Sequence, residues 1–238
     1  MKNNTIHNSA VELNVQHLIE IQNIGKDYQD GEINVQAIKQ MDFHIDDGEF
    51  VAIMGQSGSG KSTLLSILGG LNHPSRGKVL LDSLDIYKLS SEQRADLRSE
   101  YIGVIFQSFQ LIPYLTVLEN VKLPMAITGK KSKTQDKMAR DVLARVGLAN
   151  KADRLPDQLS GGEQERVAIA RAIVNKPPIL LADEPTGSLD SNTADEILNL
   201  LKELNEEGQT IIMVTHNPDA CKDTTRTIHV KDGSCYAH

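Results

Sequence analysis

The sequence predicts an α/β fold built around a mainly parallel β-sheet. Short apolar, β-rich runs at residues 48–54, 177–183 and 210–216 alternate along the chain with segments of helical composition. Such alternation is typical of parallel sheets whose faces are covered by helices. The first run leads directly into a glycine-rich loop and then into an amphipathic helix. With 238 residues, the chain can form one large domain or two small ones.

Composition and charge narrow the class of protein. Hydrophobic residues make up 39% and charged residues 24%, as in ordinary globular proteins. The formal net charge of −7 argues against bulk nucleic-acid binding. No apolar run is long enough for a membrane span, and the Asn-rich start lacks the apolar core of a signal peptide. A role at a membrane would therefore require another chain to supply the crossing. Cys221 and Cys235, the only cysteines, predict free thiols in a reducing compartment.

The first half of the chain predicts strands separated by turns and one further helix. We expect a flexible tail at residues 1–17, followed by two half-buried strands that are separated near Asp30 and Gly31. The segments that follow the glycine-rich loop and its helix are a strand and turn at 77–87, a helix at 91–100 and a strand at 101–107.

The amino-acid composition changes at the start of the second half of the chain. Residues from about 108 to 164 contain three prolines, a basic run at 129–133 and a helix-like segment, which predicts a helical insertion. The basic run is most simply a solvated face. Residues 191–208 predict a helix with a Gly208 stop, and residues 227–237 predict a hairpin with an Asp-Gly turn. The apolar face expected for that helix is formed by Ile197, Leu198, Leu201 and Leu204.

The glycine-rich loop matches the pattern G-x-x-x-x-G-K-[ST] and stands between a strand and a helix, as a phosphate-binding loop requires. Glycines let backbone amides curl around phosphate oxygens, Lys61 supplies a cation, and the Ser62 hydroxyl can bind Mg²⁺. The alternative is a tight turn that binds nothing. The residues expected to bind nucleotide here are Gly55, Ser57, Gly58, Ser59, Gly60, Lys61, Ser62 and Thr63.

Two carboxylates end the apolar run at 177–183. In an open parallel sheet, ligands bind beyond the carboxyl ends of the strands, which is where Asp183 and Glu184 stand. Asp183 is a candidate Mg²⁺ ligand acting through a water molecule, and Glu184 is a candidate general base for water attacking a γ-phosphate. Adjacent acids at this position could instead start a turn or a helix.

A second anion site is predicted at Ser160, Gly161 and Gly162, which precede a helix with acidic residues in its first turns. Backbone amides at a helix start attract anions. One triphosphate needs only one phosphate loop, so the second site requires a separate explanation.

The stretch "LSGGEQERVAIARA" resembles the signature motif of ATP-binding-cassette (ABC) ATPases, and the resemblance extends from about residue 18 to 233. It implies a P-loop NTPase with an antiparallel β subdomain and the helical insertion, in a single domain at 18–238. In that family the signature loop of one subunit closes over the ATP held by another, so the implied partner is a second copy in a two-fold dimer. "SLD" at 188–190, ending in Asp190, matches the loop that crosses this dimer.

Three smaller motifs follow in the family's order. Tyr28 matches the aromatic residue that stacks on adenine. Gln107 matches the glutamine that contacts Mg²⁺ or the attacking water, and His216 matches the histidine that contacts the γ-phosphate. Each is weak alone, because an isolated tyrosine is commonly ordinary surface or core and a histidine after a strand commonly packs or caps.

Two acidic residues depart from the usual pattern. Glu163 stands where glutamine is common, and Glu165 where a neutral residue is common. A carboxylate pointing at phosphates would be repelled, so we expect Glu163 to face away or to support the helix start. Some subgroups carry glutamate after the glycines, which argues against an inactive site.

"GGLNHPSRGKV" and "FQSFQLIPYLTVLENVKLP" are most similar to the subgroup that serves lipoprotein release and macrolide or peptide export. That resemblance implies a separate permease with few transmembrane helices and a cytoplasmic, peripheral location at the inner face of the membrane. We expect the permease to dock on Phe109, Leu111, Ile112 and Leu115, unless these side chains are core. The open alternative is a permease-coupled cassette that transmits a mechanical signal without transport. A non-transport ABC ATPase usually has long coiled coils or two cassettes, which this sequence lacks, and the intact Lys61, Asp183, Glu184 and His216 argue against a degenerate regulatory binder.

Overall fold

The computed structural model describes residues 17–31 and 33–237. The strands are β1 (Ile19–Asp30), β2 (Ile33–Ile45), β3 (Phe50–Met54), β4 (Arg76–Leu81), β5 (Leu84–Asp85), β6 (Ile102–Ile105), β7 (Ile179–Asp183), β8 (Thr210–Thr215), β9 (Arg226–Lys231) and β10 (Ser234–Ala237). The α-helices are α1 (Lys61–Leu68), α2 (Ser91–Tyr101), α3 (Val117–Lys122), α4 (Ser132–Arg145), α5 (Gly161–Ile173) and α6 (Ser191–Glu206). Short 3₁₀ turns cover Leu123–Met125, Pro156–Gln158 and Pro218–Cys221.

The described strands form one sheet in the order β5-β4-β1-β2-β10-β9-β3-β8-β7-β6. From β9 to β6 all neighbours are parallel. From β5 to β2 all neighbours are antiparallel. The hairpin of β9 and β10 joins the two regions, because β10 pairs antiparallel with β9 and parallel with β2. The predicted parallel core and antiparallel β subdomain are therefore both confirmed.

The parallel strands β3, β7 and β8 bury both of their faces. Along β3, Phe50 and Ala52 belong to one hydrophobic core, whereas Val51 and Ile53 belong to a second core on the opposite face. Strands β7 and β8 divide their side chains in the same way. Since successive strand residues point to opposite faces, a continuous apolar run is what a strand covered on both sides requires.

The helical insertion lies between β6 and α5 and contains α3 and α4, within the predicted range of 108–164. Val121, Leu143 and Val146 are fully buried in the core that α5 and α6 share. The buried Asn120 side chain fixes the chain entering α3: its Oδ1 accepts from Ile112 N at 2.8 Å, and its Nδ2 donates to the Ile112 carbonyl at 3.1 Å.

Helix α6 has the predicted Gly stop, with Gly208 in the left-handed region at φ 99°. Its predicted apolar face packs on the core, but the prediction left out one residue of that face. Leu200 is buried beside Ile197, Leu201 and Leu204, whereas Leu198 is only partly buried against the same core. The rotation of the helix on the sheet determines that Leu200 is buried. The spacing of apolar residues along the sequence does not reveal this rotation. The C-terminal hairpin turns at Asp232 and Gly233, both left-handed, as predicted.

The predicted tail lies outside the described residues except for His17. That side chain is fixed, because its Nδ1 lies 2.5 Å from Asp46 Oδ1 and its ring stacks on His44. Among the helices that the structure describes, none has the length and apolarity that crossing a membrane would require.

Candidate functional site

Four parallel strands end at the same edge of the sheet and carry the site. The phosphate loop follows β3, Gln107 follows β6, Asp183 ends β7 with Glu184 directly after it, and His216 follows β8. This edge is the carboxyl end of the parallel sheet, where open α/β folds bind ligands. The sheet order therefore gathers residues that are up to 161 positions apart in the sequence, from Gly55 to His216.

The phosphate loop surrounds a cavity of about 680 Å³. Gly60 adopts φ 100°, and a Cβ there would lie 2.4 Å from the Ala37 carbonyl oxygen, so only glycine fits. The residues that line this cavity are Ala37, Met54, Gly55, Gln56, Ser57, Gly58, Gly60, Lys61, Ser62, Thr63, Gln107, Glu184 and His216. Most of the residues predicted to hold a nucleotide are thus brought together around one space of suitable size.

Lys61 is almost completely buried, and its Nζ donates to the Gln56 carbonyl at 2.9 Å, across the loop. Ser59 is placed differently from the other loop residues. It is buried, its backbone N–H donates to Gln56 O, and it lines a neighbouring cavity of about 460 Å³ together with Lys231 and Tyr236. The side chain of Ser59 therefore does not belong to the main cavity.

Ser62 lines the main cavity, whereas Asp183 lies beside it and lines a smaller cavity of about 60 Å³ together with Ser62. The Ser62 hydroxyl donates to Asp183 Oδ1 at 3.2 Å. Burial raises the pKa of the Asp183 carboxyl above its usual range; the nearby Glu184 charge adds to this and the Ser62 hydrogen bond opposes it. A bound cation would relieve this unfavourable burial of negative charge. Hard oxygen ligands are what Mg²⁺ prefers, so the residues present fit that ion.

Gln107, Glu184 and His216 meet at one carboxylate oxygen. Gln107 Nε2 donates to Glu184 Oε2 at 3.3 Å, and His216 Nδ1 lies 3.0 Å from the same oxygen. Glu184 has φ 47°, in the left-handed region. Strain of this kind is held by surrounding contacts and is common at functional sites. Adjacent residues of a strand point to opposite faces of the sheet. The left-handed turn at Glu184 breaks this alternation and brings its side chain to the cavity.

Ser160 caps α5. Its hydroxyl accepts from Glu163 N at 3.3 Å, and Glu163 Oε2 accepts from Ser160 N at 3.0 Å, which makes a capping box. Lys151 lies 3.0 Å from the other carboxylate oxygen. The Ser160 amide, followed by Lys151, holds the pKa of the Glu163 carboxyl below its usual range. Glu163 thus supports the helix start, which is one of the two placements expected from the sequence.

Glu165 has a different environment from Glu163. Its side chain is only 1% exposed, and one of its carboxylate oxygens has no hydrogen-bond partner. Burial raises the pKa of the Glu165 carboxyl to about 8, against the attraction of Arg171. A protonated, neutral Glu165 at neutral pH is consistent with the neutral residue that the signature pattern usually has here.

The signature loop lies away from the main cavity of its own chain. Gly161 approaches Leu189 and Phe109, and a Cβ at Gly162 would lie 2.3 Å from the Thr193 methyl carbon. Neither glycine nor Ser160 lines the main cavity. The loop is therefore packed beside the start of α6, and its exposed Ser160 is presented outward.

Tyr28 and Asp190 also lie outside the cavity lining. The Tyr28 hydroxyl accepts from Asn72 Nδ2, and Lys26 Nζ lies 4.8 Å from the ring centroid. Asp190 caps α6 by accepting from Thr193 N at 3.1 Å, and bonds from Thr193 hold the pKa of the Asp190 carboxyl below its usual range. Their predicted contacts with nucleotide and partner remain predictions.

Sequence reasoning missed Ala37, Met54 and Gln56 in the cavity lining. Ala37 comes from β2 and Met54 from the end of β3, and neither carries chemistry that a motif would reveal. Gln56 occupies a variable position of the phosphate-loop pattern, so the pattern placed it in the loop but did not single it out as a lining residue.

A protein-family model described as "ABC transporter" matches residues 38–187, which include the phosphate loop, the signature helix and the carboxylate pair. The chain belongs to the ABC transporter family. It is an ABC-type ATPase and the ATP-binding subunit of a transporter, as the sequence predicted.

Similar curated proteins belong to the same family. The uncharacterized ABC transporter ATP-binding protein YvrO of Bacillus subtilis is 47% identical over 216 residues, covering 91% of this chain and 94% of its own. The macrolide export ATP-binding/permease protein MacB of Syntrophobacter fumaroxidans is 46% identical, with 91% of this chain covered but only 31% of that larger protein.

Two solved structures share the fold at a TM-score of 0.85. One is the dimeric structure of the ABC transporter cassette MJ0796, which is 45% identical and is covered over 95% of its length. The other is a dimeric post-hydrolysis state of MJ0796 bound to ADP and Pi, which is 43% identical and 98% covered. These alignments cover 91% and 92% of the present chain.

Proposed function

We propose that two copies of this chain bind and hydrolyse Mg²⁺-ATP between them and thereby drive a separate membrane permease in export, or in lipoprotein or peptide extrusion. The observation that carries the proposal is the division of the site. Gln107, Glu184 and His216 meet beside the phosphate loop, whereas the Ser160 loop lies away from that cavity. A site divided in this way is completed by a second copy.

For ATP binding, the phosphate-loop amides and Lys61 would hold the β- and γ-phosphates, because a buried cation and converging N–H groups suit clustered negative charge. Lys61 would exchange its bond to the Gln56 carbonyl for bonds to phosphate. Ser62 and Asp183 would hold Mg²⁺, with Gln107 as a further ligand, and the ion would neutralise phosphate charge when bound. Tyr28 would stack on the adenine.

For hydrolysis, Glu184 is the general base. It would accept a proton from the water that attacks the γ-phosphate, while Gln107 and His216 orient the carboxylate and contact the water and phosphate. Glu184 Oε2 lies 3.3 Å from Gln107 Nε2 and 3.0 Å from His216 Nδ1, and these distances support the roles assigned to the three residues. Loss of γ-phosphate charge would then weaken the closed pair, since a ligand shifts an equilibrium only through differential binding.

For closure, Ser160, Gly161 and Gly162 of one copy would contact the γ-phosphate held by the other. A serine hydroxyl that accepts one bond still has its own O–H to donate, so capping α5 leaves Ser160 able to bind phosphate. Asp190, at the start of α6, would lie at the same interface. The dimeric MJ0796 structures support a pair of this kind.

For coupling, the permease would dock at an apolar groove of about 300 Å³ between β6 and the turn after α3. Phe106, Leu123 and Ile127 line this groove and are exposed. The residues expected from the sequence, Phe109, Leu111, Ile112 and Leu115, do not line this groove and are partly buried. Phe109 is linked to the groove through Arg171, which lines it and donates to the Phe109 carbonyl. MacB, which joins ATP-binding and permease functions in one larger chain, supports a permease partner. The chain would then sit on the cytoplasmic face of the membrane.

ATP-dependent dimerisation tests the divided site. We expect Glu184→Gln to bind ATP but to lose at least about a hundredfold in turnover, in line with the loss of a general base, and to accumulate as a dimer by size exclusion with light scattering. Adding Ser160→Arg to Glu184→Gln should abolish the dimer and leave ATP binding intact.

Ser90→Arg is the matched control, because Ser90 caps α2 with the same capping-box geometry but lies outside the signature loop. If the dimer persisted after Ser160→Arg is added to Glu184→Gln, the proposed contact between Ser160 of one copy and the ATP held by the other copy would be contradicted. Turnover at the wild-type rate in Glu184→Gln would contradict the base assignment. With the permease reconstituted in vesicles, ATP-driven substrate movement would distinguish transport from mechanical signalling.

A further inference from the structure

The turn that follows Gln107 has an unfavourable backbone. Phe109 and Gln110 are consecutive and both left-handed, at φ 58° and 52°. This conformation is poor for residues other than glycine, and such residues keep it only where neighbouring contacts hold them. The contacts that hold this turn therefore determine the path of the chain leaving the site.

Arg171 supplies those contacts from α5. Its Nη1 donates to the Gln110 carbonyl at 2.5 Å and its Nη2 donates to the Phe109 carbonyl at 2.7 Å. The Arg171 side chain is buried, with 9% of its surface exposed. A buried cation needs hydrogen-bond acceptors, and the planar fork of guanidinium matches two successive carbonyls in a way that an ammonium does not.

The clamped turn lies between two other fixed points. Two residues before it, Gln107 donates to Glu184 at the candidate site. Two residues after it, Ile112 is held by the buried Asn120 side chain. Gln107 is anchored on its other side by β6, so release of the middle of this segment would leave the chain that follows Gln107 held only by a strained and unsupported turn.

Arg171 also contacts the parts of the molecule that the proposed cycle must connect. It stands on α5, whose first turn is the Ser160 cap, and it lines the apolar groove beside Phe106. One side chain of the signature helix thus touches both the turn after Gln107 and the groove.

We infer that Arg171 is a positioning residue for hydrolysis: by clamping the carbonyls of Phe109 and Gln110 to α5, it sets the Gln107 amide against Glu184. The inference rests on the role proposed for Gln107 in orienting the base and its water. It assigns to Arg171 an effect on turnover and none on the affinity for ATP.

Steady-state ATPase kinetics test the inference with four variants. Arg171→Met should lower kcat about tenfold or more, because a misplaced orienting group is costly, while KM for ATP stays within about twofold. Arg166→Met is the matched control, since Arg166 lies on the same helix but pairs with Glu196 of α6 at 2.9 Å; it should leave both constants unchanged. Gln107→Ala should lower kcat, and adding Arg171→Met to it should cause no further loss.

Three results would count against the inference in different ways. Wild-type kcat in Arg171→Met, with Gln107→Ala impaired, overturns the positioning role and leaves the role of Gln107 intact. Losses that multiply in the double variant also overturn it, because the two residues would then act independently. Wild-type kcat in Gln107→Ala overturns the proposed role of Gln107 itself.

Arg171→Lys keeps the test decisive if the Met variant does not fold. A lysine keeps the buried charge but cannot bond both carbonyls with the same geometry. We expect an intermediate kcat, with unchanged ATP affinity, and faster hydrogen–deuterium exchange of the amides at residues 106–112 than in the wild type. Wild-type exchange in that segment together with wild-type kcat overturns the inference.

Discussion

The buried carboxyl of Glu165 makes the stability of this protein depend on pH in a predictable direction. Its pKa is raised from the ordinary value of 4.5 to about 8 by burial. Below about pH 4.5 both the folded and the unfolded chain hold this proton. Between pH 4.5 and 8 the unfolded chain loses the proton while the folded chain keeps it, so the free energy of unfolding falls as pH rises.

The magnitude follows from the same interval. Each pH unit in this range lowers the free energy of unfolding by ~1.4 kcal/mol, which amounts to roughly 5 kcal/mol between pH 4.5 and 8. Glu165→Gln has nearly the same shape and cannot ionise. We therefore expect the variant to gain roughly 2–3 kcal/mol relative to the wild type when the pH is raised from 5.5 to 7.5.

Urea unfolding followed by far-ultraviolet circular dichroism measures this difference at several pH values. The other titrating groups are shared by the two proteins, so the change in the difference with pH isolates Glu165. Glu163→Gln is the control on the same helix. The pKa of Glu163 is lowered, so its stabilising contribution is present above pH 4.5 and is lost only as pH falls.

The control should therefore show a constant difference from the wild type between pH 5.5 and 8. A constant difference for Glu165→Gln over the same range would refute the assignment of a buried neutral carboxyl. If the wild type instead became more stable relative to Glu165→Gln as the pH rises, the predicted direction of the Glu165 pKa shift would be wrong.

Three further outcomes follow from the structure. Lys61→Ala should weaken ATP binding at least about tenfold in equilibrium titrations, because the phosphates lose a buried cation, and unchanged affinity would remove Lys61 from the site. Gly162→Ala places a methyl group 2.3 Å from Thr193 Cγ2 and should lower stability by about 1–3 kcal/mol in thermal unfolding. Thr193→Ser should restore it, whereas Gly161→Ala should be nearly neutral. Asn120→Ala removes the acceptor of the Ile112 amide and the side-chain donor to the Leu115 carbonyl, and should cost about 2–4 kcal/mol in urea unfolding; a loss below about 1 kcal/mol would contradict that account.

Much of the candidate site could be predicted from the sequence because its parts are local. The phosphate loop is a continuous segment whose glycines, lysine and serine act through their own backbone and side chains, so spacing alone identifies it. The strands β3, β7 and β8 follow from apolar runs, and the α5 and α6 caps follow from Ser160 and Asp190 at their starts.

Other features depend on which elements become neighbours. The left-handed backbone of Glu184, the shared oxygen that Gln107 and His216 approach, and the place of Ala37 in the lining all result from the sheet order. The burial of Leu200 and the contrast between Glu163 and Glu165 depend on which face of a helix meets the core. None of these is set by spacing along one segment.

The sequence by itself determined that this chain has a phosphate loop, a carboxylate pair, a signature helix and a mainly parallel sheet. The first three are each encoded in a short run of residues, and the sheet is encoded in the alternation of apolar runs with helical segments along the chain. Only the tertiary structure decided that Arg171 clamps the turn after Gln107, that Tyr28 contacts Asn72 outside the cavity lining, and that the Ser160 loop faces away from its own phosphate loop. The physical reason is that hydrogen bonds and burial between distant segments depend on the packing of whole elements, which no local pattern specifies.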